Sequence, residues 1–173
     1  RGRGKNVRTL ASYVLGCDDG SYARPNGAVG YLAAVFYPTQ GESGDPFTAI
    51  IGVSATVDRA GGAPVARQND IQFFIVAGEE LSQNDFLLDL DDSHQEVIPL
   101  GKLTKNLARR INPNSVEKYD TKKQYLRRLY GALRGRNDAV PEREAMNAAR
   151  TFSRFMAYKP VKSINGFVAN EIL

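Results

Sequence analysis

Residues 47–57 read FTAIIGVSATV, a run rich in β-branched residues that follows the loop GESGDP at 41–46. This composition predicts a strand. Two further runs resemble it. Residues 28–37, AVGYLAAVFY, are apolar and close at Pro38, and residues 71–77, IQFFIVA, follow the loop RAGGAPVARQND at 59–70. Gly, Pro and Asp punctuate the gaps, as exposed connections in a sheet require, and Gly61-Gly62-Ala63-Pro64 reads as a flexible tip. The expectation is a small, mainly antiparallel sheet within residues 28–100.

The pattern changes after Gly101. Leu103, Leu107 and Ile111 recur at helical spacing, and Asn112-Pro113-Asn114 stops that segment. Ser115 is positioned to cap a longer helix over 116–133, with Val116, Tyr119, Leu126, Tyr130 and Leu133 as its stripe and Tyr125 and Leu129 broadening it. Gly131 costs that helix some propensity and Gly135 ends it. Pro141 opens a third helix, with Glu142 and Glu144 suiting its first turn. Its buried face is expected to be Ala145, Ala148, Ala149, Phe152, Phe155 and Met156, with Lys159-Pro160 as its end.

The N-terminal part is less periodic. Thr9 to Leu15 reads as a short helix or a strand, residues 16–20 and 24–27 as loops, and Ser82 with Asp85 as a capping box. The fold class is therefore α+β: a small mainly antiparallel sheet in the N-terminal half, followed by a basic helical C-terminal half. Strand and helix do not alternate, which argues against a doubly wound parallel sheet. Three parts are expected: a flexible basic arm at 1–8, a single α+β domain at 9–158, and an apolar tail or interaction arm at 159–173. The tail's apolar residues are Ile164, Phe167, Val168 and Ile172.

Charge is sorted along the chain. Residues 1–101 carry 7 Lys and Arg against 13 Asp and Glu, whereas residues 102–173 carry 16 against 6. Lys102 to Arg136 alone holds 11 basic and 2 acidic residues, so the overall charge of +4 hides a polarised molecule. Such polarity points to a polyanionic partner or to association of basic with acidic faces. Arginine and lysine rows of this kind can meet phosphates. The candidate nucleic-acid contacts are Arg1, Arg3, Lys5 and Arg8 in the arm, Lys105, Arg109 and Arg110 in the first basic cluster, and Lys122, Lys123, Arg127, Arg128, Arg134 and Arg136 in the second. Tyr119, Tyr125 and Tyr130 interleave with the second cluster. Stacking on unpaired bases competes there with core packing, which their helical spacing favours.

Catalytic equipment is sparse. One Cys and one His rule out a Cys/His zinc set and an intrachain disulfide framework. No phosphate-binding glycine loop and no G-x-S-x-G elbow is present. Asp85, Asp89, Asp91, Asp92, His94 and Glu96 gather oxygen ligands, but their spacing does not match a calcium-binding EF-hand, and no metal or cofactor is expected. Cys17 reads as a packed small hydrophobe rather than a nucleophile served by His94. No apolar run approaches the roughly 20 residues of a membrane span.

These features favour a non-enzymatic, nucleic-acid-binding, self-assembling structural protein, such as a viral coat, nucleocapsid or matrix-type subunit. Its expected partners are RNA, bound without sequence preference, and further copies of itself, in the cytoplasm or the virion. A cellular adaptor docking acidic proteins or an anionic membrane surface is the alternative, and a metal-dependent nuclease the third reading.

Overall fold

The computed structural model describes residues 9–41, 43–91 and 94–157, with backbone alone for 154–157. Helix α1 spans Leu10–Val14. It forms because Thr9 and Ser12 cap reciprocally: the Ser12 N–H donates to the Thr9 hydroxyl at 3.2 Å, and the Thr9 N–H donates to the Ser12 hydroxyl at 2.8 Å. The next segment, expected as a loop, is a miniature hairpin of β1 (Cys17–Asp18) and β2 (Ser21–Tyr22). Its turn runs through Asp19 and Gly20, both at positive φ.

The main sheet contains β3 (Ala28–Phe36), β4 (Phe47–Asp58), β5 (Val65–Ala77) and, much later, β8 (Val116–Tyr119). Its order is β3-β4-β5-β8 and every pairing is antiparallel. A second hairpin, β6 (Leu87–Asp91) with β7 (His94–Val97), occupies the acidic stretch. Three helices complete the described chain: α2 (Leu103–Leu107), α3 (Lys122–Ala132) and α4 (Glu142–Ala157). The α+β class read from the sequence is the observed one.

Alternation along β4 feeds two cores. Ile50 joins Phe74, Val76, Phe86, Ile98, Leu103 and Leu107 on one face. Phe47 and Ala49 join Phe73, Ile75 and Tyr125 on the other, with Leu129 and Ala132 of α3 packed beside them. Farther along that second face Ala55 meets Ala11 and Leu15 of the α1 segment. The sheet is thus sandwiched, with α2 and the β6–β7 connections on one side and α1 and α3 on the other. Full burial of each large side chain contributes about 1.5–3 kcal/mol. Thr48, fully buried on β4, donates to the Glu79 carbonyl at 2.8 Å and accepts from the Leu81 N–H at 3.1 Å, which fixes the turn leaving β5.

Three further expectations are corrected. β5 begins at Val65, not Ile71, because β4 runs on to Asp58 and its ladder recruits residues 65–70 across a bulge near Ser54 and Ala55. The helix expected from Val116 is instead a strand followed by a helix. Val116 packs with the Ile50 core and Tyr119 with the Tyr125 core, on opposite faces of the sheet, which a two-residue period allows and a helical turn does not. Ser115 therefore caps nothing there. Thr121 starts α3, its hydroxyl accepting the Gln124 N–H at 3.3 Å. Finally, Phe152 of α4 is 61% exposed rather than buried, although Ala145 is fully packed. Phe155 and Met156, and the arm at 1–8 and the tail at 159–173, lie outside the described side chains.

Gly131 is needed where it stands. After α3 the chain folds back, and a Cβ at Gly131 would collide with the Asp138 carbonyl oxygen. Val140 is locked on the same helix, donating its N–H to the Arg127 carbonyl at 3.0 Å. Gly131→Ala should therefore destabilise the fold by about 1–3 kcal/mol in urea denaturation, reversing the gain of about 1 kcal/mol that helix propensity alone would give.

Two tyrosines make the fold sensitive to alkali. Burial holds the Tyr31 hydroxyl, which donates to the Ile98 carbonyl at 2.7 Å, well above the usual phenol range, and pushes Tyr125 up to about 12. A phenol whose folded-state pKa is raised stabilises the fold fully below its unfolded value, and that contribution is lost as pH rises from there through the folded value. Cooperative unfolding is expected between about pH 10 and 12, monitored together by circular dichroism and phenolate absorbance. Exposed tyrosines such as Tyr13 can ionise without unfolding, so the contradicting result is phenolate absorbance that reaches the full tyrosine yield while the circular dichroism of the fold persists.

Candidate nucleic-acid interface

The basic residues separate into structural and solvent-facing groups. Arg128, on the stripe i+3 from Tyr125, is turned inward with its side chain 8% exposed. Its Nε and Nη2 donate to Glu117 of β8 at 2.9 and 3.0 Å, and its Nη1 donates to the Arg136 carbonyl at 3.1 Å. Glu117 also accepts the Tyr119 hydroxyl. One guanidinium thus joins the edge strand, α3 and the turn beyond it. Arg127 is half-buried and donates its Nε to the Val140 carbonyl at 2.9 Å.

Other cations are paired at the surface. Lys123 meets Glu142 at 2.8 Å, Arg134 meets Glu144, and Arg136 meets Asp138 at 2.7 Å. Hydrogen bonding to Lys123 and to Arg136 holds the Glu142 and Asp138 carboxyls below their ordinary range. Arg110 pairs with Asp85 at 3.2 Å. Exposed pairs of this kind contribute little stability, and a polyanion can compete for their cations.

Lys105, Arg109 and Lys122 are exposed and form no ion pair among the described residues. Lys105 lies on α2 and Arg109 just beyond it, on the Phe74 face of the sheet. Lys122 opens α3 on the Tyr125 face. The two clusters therefore do not form one flat patch. They flank the β8 edge from either side. Lys118 adds a cation that the sequence reading passed over. It pairs in register with Phe74, so it stands on the α2 side of the edge, and it is exposed. Recognising 116–119 as a strand would have found it. Likewise, the i+3 relation of Arg128 to Tyr125 was the signal that this arginine faces the core. Arg1, Arg3, Lys5 and Arg8 lie outside the described residues.

The tyrosines sort the same way. Tyr125 is buried and stacks on Phe73 with centroids 5.2 Å apart. Tyr119 is held by Glu117, and its phenol is raised by burial and that hydrogen bond. Tyr130 is half-buried, its phenol raised by burial. Core packing thus claims Tyr125 outright.

Of the acidic stretch, Asp85 lies on the turn before β6, Asp89, Asp91, His94 and Glu96 lie on the β6–β7 hairpin, and Asp92 lies outside the described residues. Among the described residues no group of three or more His, Cys, Asp or Glu is placed to hold a metal ion. Asp85 accepts the Ser82 N–H at 2.7 Å and the Ser82 hydroxyl at 2.9 Å, closing the expected capping contact on a short 3-10 turn. His94 faces Glu96 at 3.8 Å on the exposed hairpin, and Cys17 is half-buried in the β1–β2 hairpin. No helix among the described residues is long and apolar enough to cross a membrane. No protein-family model, curated protein or solved structure matches the chain.

Truncating Arg128 strips the half-buried Glu117 carboxylate of its guanidinium and leaves it only the Tyr119 hydroxyl among the contacts described. Arg128→Ala should cost about 3–5 kcal/mol in thermal or urea unfolding, whereas Lys122→Ala should stay within about 0.5 kcal/mol. Equal small effects from both would refute an inward structural role for Arg128.

Proposed function

We propose that the protein is a nucleic-acid-binding, self-assembling structural subunit of the viral coat, nucleocapsid or matrix type, gripping phosphates without reading sequence. The observation that carries this reading is a group of exposed cations, Lys105, Arg109, Lys118 and Lys122, that pair with no carboxylate among the described residues and are ranged on both sides of the β8 edge. Exposed lysine and arginine without partners release no internal ion pair when they meet phosphate, and they gain the counterion entropy of a polyanion. The paired cations Lys123, Arg134 and Arg136 surround this group as a reserve that a phosphate backbone can recruit. Bases add little on this surface, because Tyr125 is buried and Tyr119 is engaged. Contacts of this type position a strand and leave its sequence unread.

Binding of a labelled single-stranded RNA, followed by fluorescence anisotropy at about 50 and 200 mM salt, is expected to give a log–log slope steeper than about −3. Lys105→Ala, Arg109→Ala and Lys122→Ala together should weaken binding to unrelated sequences equally and flatten the slope by about 2, at about 0.7 per phosphate contact. Absence of binding at the lower salt overturns the reading and turns the basic edge toward acidic proteins or an anionic membrane surface.

A further inference from the structure

We infer that the free edge of β3 is a homotypic interface, where two copies pair antiparallel across a two-fold axis to make one continuous eight-stranded sheet. The inference gives a surface to the self-assembly half of the proposed function and is independent of its phosphate half.

Among the described residues β3 ends the sheet, paired with β4 alone. Its nine residues, AVGYLAAVF, contain no charge and no proline, and their register with β4 is unbroken by any bulge. Leu32, Ala33 and Ala34 at its centre are exposed, Leu32 at 62%. Sheet edges in monomeric proteins are ordinarily blunted by charge, proline, bulges or brevity. The opposite edge obeys that rule: β8 is four residues long and carries Glu117 and Lys118. β3 has none of these protections over a length of about 30 Å.

The occupant follows from what flanks the strand. Beside β3, on the α1 side, lies a hollow of about 540 Å³ lined mainly by apolar residues, Leu10, Tyr13, Val14 and Leu32 among them, and by Arg24. Tyr13 is 63% exposed there. A two-fold axis normal to the sheet keeps this face common to both copies, so each Leu32 enters the apolar surface beside its counterpart. The same axis sets the start of one β3 against the end of the other. Arg24 precedes the strand; after it, Asp45 lines a cleft with Tyr37 and with Arg134, whose charge Glu144 already meets, and Glu80 accepts the Tyr37 hydroxyl at 2.8 Å. Antiparallel pairing therefore turns the Arg24 end of each strand toward the Asp45 and Glu80 end of the other, which parallel pairing does not do. An isologous contact of this kind closes as a dimer.

Sedimentation equilibrium of the full chain at micromolar concentration is expected to show a dimer. Leu32→Lys with Ala34→Lys should yield a monomer with an unchanged unfolding midpoint. Hydrogen exchange of the unsubstituted chain supplies the second measurement: the outward amides of residues 28–36 should become more protected as concentration rises. A monomeric unsubstituted chain overturns the inference. So does a dimer that survives both substitutions while the β3 amides exchange freely, since another segment, such as 159–173 or the Phe152 face of α4, then joins the copies. Retained RNA binding by the monomeric variant leaves the phosphate reading standing on its own. Loss of RNA binding in a chain that still dimerises through β3 overturns that reading and leaves this one intact.

Discussion

Burial of β4 on both faces is the constraint on which the rest of the molecule depends. A strand covered on one side needs one layer; this strand needs two, because Ile50 and Ala49 point into different cores. The chain satisfies the first with Phe86, Ile98, Leu103 and Leu107, and the second with Tyr125 from α3 and Ala11 and Leu15 from the α1 segment. Neither layer is large. α2 has five residues and α1 has five, so neither would persist without the sheet beneath it. The helices follow from the sheet rather than the reverse.

That dependence explains what could be read from the sequence. Residues 28–37 and 47–57 announced their strands because composition and punctuation agree locally. Residues 116–119 did not, because VEKY is compatible with a helical turn until β5 is present to pair with it. The extension of β5 back to Val65 was hidden for the same reason: ARQND has no strand-forming composition and is held by the ladder from β4. The site was legible only as a sum of charge. Sequence counts Arg128 and Lys122 alike, yet Glu117 and the sheet withdraw the first from solvent and leave the second at the surface. The i+3 spacing from Tyr125 marks Arg128 as inward-facing, but no local pattern names the distant carboxylate, Glu117, that receives it.

The two edges of the sheet have opposite chemistry. At β8 the strand is short, charged and flanked on both faces by basic residues. At β3 it is long, neutral and bordered by an apolar hollow. Four antiparallel strands hold these edges about 14 Å apart. Contacts at one edge therefore leave the other unobstructed.

The bridge from Arg128 to Glu117 also limits how the chain can vary. Loss of either member alone strands a charge in a poorly solvated place, and a lysine cannot reproduce the two parallel bonds or the reach to the Arg136 carbonyl. Positions 117 and 128 are therefore bound to drift together in any lineage that keeps this fold, through a paired replacement of both by apolar residues or not at all. The surface lysines nearby carry no such bond to one another and are free to be exchanged one at a time.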